Sequence, residues 1–185
     1  TAKEGRWVEV LGRALLSTLQ KELGELPIIA EDLGVITDDV IALRDDFSLP
    51  GMSILQFAFD GSARNPYLPH NLQRNTVVYT GTHDNNTTMG WYNELTDEEK
   101  LRVNFYFGFS NEAMPKPLVR AALASVAHMA IIPLQDILEL DSSARMNTPG
   151  TESGNWQWRC QWSDFTDDLA QRYRDMLASY GRLSD

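Results

Sequence analysis

The sequence predicts an α/β domain, a parallel sheet or barrel with long decorated loops. Three observations carry that expectation. Short apolar runs with strand character alternate with amphipathic helical stretches, the rhythm of strand–helix units. Two of the runs end on acidic clusters: Leu26-Pro27-Ile28-Ile29-Ala30 leads into Glu31-Asp32, and Thr76 to Thr82 leads into His83-Asp84-Asn85-Asn86. At 185 residues and 43% hydrophobic, the chain can bury one sizeable core or form part of a larger one.

In chain order, residues 3–23 place Trp7, Val10, Leu11, Ala14, Leu15, Thr18 and Leu19 at helical spacing, and Gly24 supplies a stop. A strand is expected at 27–31. Thr37-Asp38-Asp39 starts a helix backed by Val40, Ile41, Leu43 and Phe47, and Pro50-Gly51 breaks it from a second strand at 52–59. The Pro- and Asn-rich stretch 65–74 is a loop before a third strand at 76–82. Thr96-Asp97-Glu98-Glu99 matches a capping box, in which the Thr hydroxyl and the Glu carboxylate satisfy free amides at a helix start. Pro117 suits the first turn of a helix reaching about residue 127, ahead of a fourth strand at 128–133. A loop rich in Gly, Asn and Trp (145–162) precedes a last helix near 166–180, closed by Gly181. Four such units make about half of an eight-unit barrel, since a full one takes roughly 250 residues.

Composition narrows the function. Sixteen basic and twenty-six acidic residues give a net charge of −10, which opposes binding to nucleic acid or an anionic membrane and favours a neutral or cationic ligand. The single Cys160 forms no internal disulfide, which suits the cytoplasm, and no run of about 18 apolar residues predicts a membrane span. The start Thr1-Ala2-Lys3-Glu4 has neither an initiator Met nor a signal-peptide pattern, and the chain reads as a piece of something longer.

Glu31 follows three residues expected to be buried. A carboxyl at such a strand mouth is partly desolvated, which raises its pKa toward the range of a general acid; the competing reading makes Glu31 or Asp32 a cap for the next helix or a solvated residue. His83-Asp84 stands beside Gly81, which permits the turn that would aim both side chains into a cleft. Metal ligation, acid–base work and hydrogen bonding to a polyhydroxylated ligand are all open to the pair, as is a cap at Asp84 with His83 on the surface. Metal binding is disfavoured, because His70 and His128 are the other histidines and no H-x-x-x-H spacing occurs. Trp91-Tyr92, Phe105-Tyr106-Phe107, Trp156, Trp158 and Trp162 offer apolar faces of the kind on which sugar rings stack. For 105–107 the competing reading is ordinary helix packing. No G-x-S-x-G motif or phosphate-binding Gly loop is present.

Three ordered motifs, Pro27-Ile28-Ile29-Ala30-Glu31-Asp32-Leu33-Gly34, Gly81-Thr82-His83-Asp84-Asn85, and Arg145-Met146-Asn147-Thr148-Pro149-Gly150 with Gly154-Asn155-Trp156, resemble the 4-alpha-glucanotransferases of glycoside hydrolase family 77, in the alpha-amylase clan. The resemblance runs from Trp7 to the last helix and covers the C-terminal part of that family's length. It implies the C-terminal part of a (β/α)8 TIM barrel over residues 1–185. It also implies a retaining double displacement, without a cofactor or metal, that passes a segment of an α-1,4-glucan to the 4-hydroxyl of glucose or a maltooligosaccharide. By motif match Glu31 is the acid/base, Asp84 is the carboxylate that holds the distorted donor sugar, and His83 hydrogen-bonds the same sugar. The resemblance puts Phe57 on the acceptor side and Asn147 or Asn155 against the glucan.

Two departures stand out. The family's nucleophilic Asp lies in a run resembling Phe-Arg-Ile-Asp-His, which this chain does not contain, so the 185-residue piece by itself is expected to be inactive. Asn86 stands where many relatives carry an acid. The alternatives are a non-catalytic maltooligosaccharide-binding fragment and a clan hydrolase that uses water as acceptor.

Overall fold

The computed structural model describes residues 4–5, 8, 10–25 and 27–183. The chain divides into two compact units, Thr1–Gly51 and Met52–Asp185.

The first unit carries helices α1 (Gly12–Leu23) and α2 (Asp38–Asp46). The helix expected from residue 3 starts at Gly12, with Trp7 outside the described residues. Leu11 has no side-chain oxygen to accept a first-turn amide, and no acidic residue lies in that turn, so nothing local draws the start upstream. No residue of α1 is buried. Gly12 faces Leu43 of α2, and Arg13 pairs with Asp46. Asp38 and Asp39 lie in the first turn of α2, where the helix dipole favours acids, and a hydrogen bond from Thr37 holds the Asp39 carboxyl below the usual range.

The strand expected at 27–31 is not formed. Pro27 and Pro50 each lack an N–H, which strips donors from the two segments that would pair. The Ala30 N–H still donates to the Pro50 carbonyl at 2.8 Å.

The second unit holds a three-stranded sheet in the order β1 (Gly51–Ile54), β2 (Thr76–Tyr79), β3 (Met129–Ile131). Strands β2 and β3 are parallel, with Val77 opposite Met129, Val78 opposite Ala130 and Tyr79 opposite Ile131. Parallel neighbours need a long crossover, supplied here by α3 (Thr88–Glu94), α4 (Asp97–Tyr106) and α5 (Lys116–Ala124). A short α6 (Leu134–Ile137) and α7 (Asp167–Ser179) follow. Leu55, Val78, Val103, Leu118 and Ala122 form the main core, and Val119, Leu123 and Met176 a second cluster.

All three formed strands are shorter than their apolar runs. β1 ends at Ile54, where Leu55–Phe57 turns into a 3-10 helix and the Ala58 N–H returns to the Leu55 carbonyl. β2 ends at Tyr79, before the turn at Gly81, and β3 ends at Ile131, shortly before Pro133 caps α6. The expected capping box of α4 is present, with Thr96 accepting from the Glu99 N–H and Glu99 from the Thr96 N–H. Helix α5 stops at Ala124, where the Ser125 hydroxyl donates to the Ala122 carbonyl. Thr166 caps α7, and Gly181 follows it at φ 64°. Among the described residues no helix is long and apolar enough to cross a membrane.

Candidate active site

Past β2 the chain leaves the sheet at Thr80 and re-enters regular structure at Thr88, the first residue of α3. Between them the Asn85 carboxamide oxygen accepts from both the backbone N–H and the hydroxyl of Thr82, at 2.9 and 2.8 Å. With the Asn85 N–H also donating to the Thr82 carbonyl at 3.1 Å, the segment closes into a tight turn from which His83 and Asp84 project outward, their side chains 58% and 50% exposed. A β-carbon at Gly81 would lie 2.6 Å from Gln56 Nε2, so a larger residue there would displace the Gln56 amide from its bond to the Asn86 carbonyl.

The loop after α6 meets this pair. Asn147 Nδ2 donates to Asp84 Oδ1 at 2.7 Å, and the Asn147 N–H to the His83 carbonyl at 3.0 Å. Arg145 binds both partners, its NH2 donating to the Asp84 carbonyl at 2.8 Å and its Nε to the Asn147 carbonyl at 2.9 Å. His83 Nε2 lies 3.3 Å from Asp84 Oδ1, and its ring packs against Trp156 with centroids 5.1 Å apart. Trp156 sits at φ 61°, a conformation rare outside glycine, and its N–H donates to the Met146 carbonyl at 2.7 Å.

Asn155 turns inward on its own loop. Its Oδ1 accepts from the Thr148 N–H at 2.9 Å and its Nδ2 donates to the Thr151 hydroxyl at 2.9 Å. It shapes the 148–155 turn that presents Trp156. Beyond that turn, Cys160 is exposed.

The other expected site residues, Phe57 and Glu31, belong to other segments of the chain. Phe57 is exposed on the turn after β1, where its ring meets Tyr67 edge to face. Glu31 belongs to the first unit and is exposed, with Pro27 and Ile29 exposed before it. The burial expected of it at a strand mouth is not observed, because the segment is not laced into a sheet. Asp32 caps no helix; it pairs with Arg44 of α2, which also binds Asp45. Of the aromatics, Tyr106 and Phe107 pack on Phe59 as helix packing predicts, whereas Phe105 is exposed.

A buried polar layer underlies His83 and Asp84. Asp136 of α6, 1% exposed, accepts from the Thr80 hydroxyl at 2.5 Å, the Thr88 hydroxyl at 2.6 Å and the Thr88 N–H at 2.8 Å. Burial pushes its pKa up, against the three bonds that pull it down. Asn86 is buried and uses its amide, donating to Glu94 at 2.7 Å and to the Ser142 hydroxyl at 2.9 Å. Gln56 Nε2 donates to the Asn86 carbonyl at 3.0 Å, and Gln135 Nε2 to the Ala144 carbonyl at 3.2 Å. Gly90 of α3 lies against Asn86 and Ser142 with no room for a β-carbon. Sequence reasoning singled out neither this layer nor the role of Arg145. The signal for Asp136 was a lone carboxylate inside the apolar run 131–138.

The arrangement offers hydroxyl-bearing ligands a carboxylate oxygen and an imidazole beside an indole. Among the described residues no three His, Cys, Asp or Glu side chains form a metal-binding group.

Comparison with known proteins gives the family. The family model of 4-alpha-glucanotransferase matches residues 1–166. The chain is 51% identical to a chloroplastic/amyloplastic 4-alpha-glucanotransferase of Arabidopsis thaliana, over 98% of this chain and 32% of that protein. It is 48% identical to a 4-alpha-glucanotransferase of Thermus thermophilus, over 99% of this chain and 38% of that one. The solved amylomaltase from Streptococcus agalactiae in complex with acarbose superposes with a TM-score of 0.94 at 36% identity, over 100% of this chain and 38% of that chain. The amylomaltase from Corynebacterium glutamicum, at 16% identity and a TM-score of 0.58 over 89% of this chain, shares the fold. The chain thus spans about a third of the length of the curated relatives it matches.

Proposed function

We propose that this chain, which belongs to the 4-alpha-glucanotransferase family, supplies the acid/base and the donor-holding residues of a retaining enzyme. That enzyme transfers a segment of an α-1,4-glucan to the 4-hydroxyl of glucose or another glucan. In this reading residues 1–185 are the C-terminal part of one (β/α)8 barrel, about four strand–helix units. The nucleophilic Asp belongs to the length of the relatives that this chain does not span.

Each displacement needs a proton moved at the glycosidic oxygen and charge stabilised at the ring. Glu31 gives its proton to the leaving oxygen, then takes one from the acceptor hydroxyl. Asp84 accepts hydrogen bonds from hydroxyls of the distorted donor ring, and its charge stabilises the oxocarbenium-like transition state. His83 binds the same ring, and Asn147 fixes the Asp84 carboxylate. Asn155 shapes the glucan-facing loop, and Phe57 flanks the acceptor. The observation that carries the reading is the Asp84–Asn147–His83–Trp156 cluster, which joins two of the family motifs through a 2.7 Å bond and a ring contact. The net charge of −10 suits a neutral glucan and opposes nucleic acid or membrane partners. A lone cysteine fits a cytoplasmic site of action.

Maltotriose disproportionation tests the proposal. The full-length enzyme that contains this chain should release glucose while lengthening other chains, and the isolated 185 residues should bind maltooligosaccharide without turnover. Products that only shorten would make it a hydrolase. Turnover by the isolated chain would overturn the assignment of the nucleophile outside it.

A further inference from the structure

Two adjacent side chains of the four-residue helix α6 reach the two loops that build the site. Asp136 binds both ends of the 80–88 loop, Thr80 where the chain leaves β2 and Thr88 where it enters α3. Gln135 holds the Ala144 carbonyl, one residue before Arg145 and three before Asn147. Asn86 then joins the loops directly through the Ser142 hydroxyl. We propose that Gln135 and Asp136 are positioning residues that set the Asp84 carboxylate against Asn147 and thereby fix the register of the donor-sugar site.

The inference rests on the functional reading above. Its warrant is the chemistry of a buried carboxylate. Removing an acid from water is costly, and an apolar side chain would fill the same space at lower cost if packing were the only requirement. Asp136 sits in an apolar stretch with three donors converging on its two oxygens, both hydroxyls on one and the Thr88 N–H on the other. A loop tied at both ends to one carboxylate loses the freedom of its hinges. The second loop, tied to the neighbouring side chain, moves with it. Asp84 and Asn147 are 63 residues apart in sequence yet keep a 2.7 Å bond, the geometry such a shared anchor produces.

The test uses Asp136→Asn, Thr80→Val and Gln135→Met in the full-length enzyme that contains this chain. Asp136→Asn keeps the shape and an acceptor for the Thr88 N–H but replaces the oxygen that accepts from Thr80 and Thr88 with an NH2 that only donates, so both hydroxyls must rotate and the charge that draws the two loop ends together is lost. Misplacing a group that acts on the transition state lowers kcat by about 10²-fold for a displacement of about 1 Å, so that loss is expected for Asp136→Asn, with donor KM changed by less than about threefold. Thr80→Val and Gln135→Met should move kcat in the same direction by smaller factors. Val103→Ala, a core substitution outside the layer, should lower Tm while leaving kcat unchanged at a temperature where it is folded. Folded Asp136→Asn and Thr80→Val variants that keep kcat within about twofold of wild type would overturn the proposal. A crystal structure of whichever variant folds gives a readout independent of activity. The Asp84–Asn147 bond should open beyond hydrogen-bonding distance, and its persistence would also overturn the proposal. A wild type that only shortens maltotriose defeats the transferase reading instead, and the positioning claim is then decided on the hydrolytic kcat and the same bond.

Discussion

The two acidic motifs begin alike, as apolar runs ending on carboxylates, yet they are built differently. Among the described residues the run before Glu31 forms no strand; its Ala30 N–H donates to the Pro50 carbonyl, and Glu31 is exposed. The run before Asp84 contributes β2, with β1 on one side and β3 on the other, and its end is tied down by Asp136, Gln56 and Asn86. The difference separates two properties of a catalytic group. Its identity is carried by a few contiguous residues. Its placement depends on distant partners, and within this chain the partners of Asp84 are far better developed than those of Glu31.

Four experiments break or sharpen that contrast. The largest effect is expected at Glu31→Gln in the full-length enzyme: transfer should fall by about 10³-fold or more, as for loss of an acid/base group. Tm of the isolated chain should barely change, because the side chain is exposed. Appreciable transfer would remove Glu31 from the acid/base role.

The second compares packing in the two units by urea unfolding of the chain. Leu118→Ala, at a fully buried position of α5, should cost about 3 kcal/mol. Leu15→Ala in α1, at a position 61% exposed, should stay within about 0.5 kcal/mol. Equal costs would erase the difference between the units.

The third concerns caps. Thr96→Ala removes a hydroxyl that accepts the Glu99 N–H and should cost about 1 kcal/mol. The Thr37 hydroxyl, at the start of α2, accepts no backbone amide, and Thr37→Ala should cost only about 0.3 kcal/mol.

The smallest effect is a pH dependence. Arg120 donates to both oxygens of Glu112 and holds its pKa below the usual value, so the folded state binds the Glu112 proton less readily than the unfolded chain does. The stabilisation is complete above about pH 4.5 and is lost as pH falls through the depressed folded value. Because both side chains are more than a third exposed, solvent screening limits it to below about 1 kcal/mol. Glu112→Gln should therefore lose stability relative to wild type at pH 7 and converge with it in acid. Asp136 acts with the opposite sign. Its pKa is raised, so its burial costs stability as pH rises above the unfolded carboxylate value, and Asp136→Asn should lack that slope.

Features decided by neighbours along the chain were legible in the sequence. The Thr96–Glu99 box and the closing Gly181 both lie within a few residues of what they terminate. Strand ends were less legible, since each is set by a turn or a proline-led helix that follows rather than by the apolar run. The missing strand at 27–31 is a pairing failure, and pairing is not local. Helix α3 starts at a cap on Thr87 whose partner is the Gly90 N–H, and α6 is four residues long, too short for a periodic pattern. At the site, His83, Asp84 and Asn147 were marked by their motifs. Gln135 and Asp136 were not, because Asp136 meets Thr80 across 56 residues and Thr88 across 48. A buried polar group announces itself only once the fold has brought its donors to it.

The exposed Cys160 gives the chain a built-in reporter. As its one thiol, four residues past Trp156, it accepts a maleimide dye or a spin label at a single defined position without mutagenesis. Titrating labelled chain with maltooligosaccharide would register movement of the Asn155–Trp156 loop as a change in emission or line shape, a direct spectroscopic test of whether that loop meets glucan.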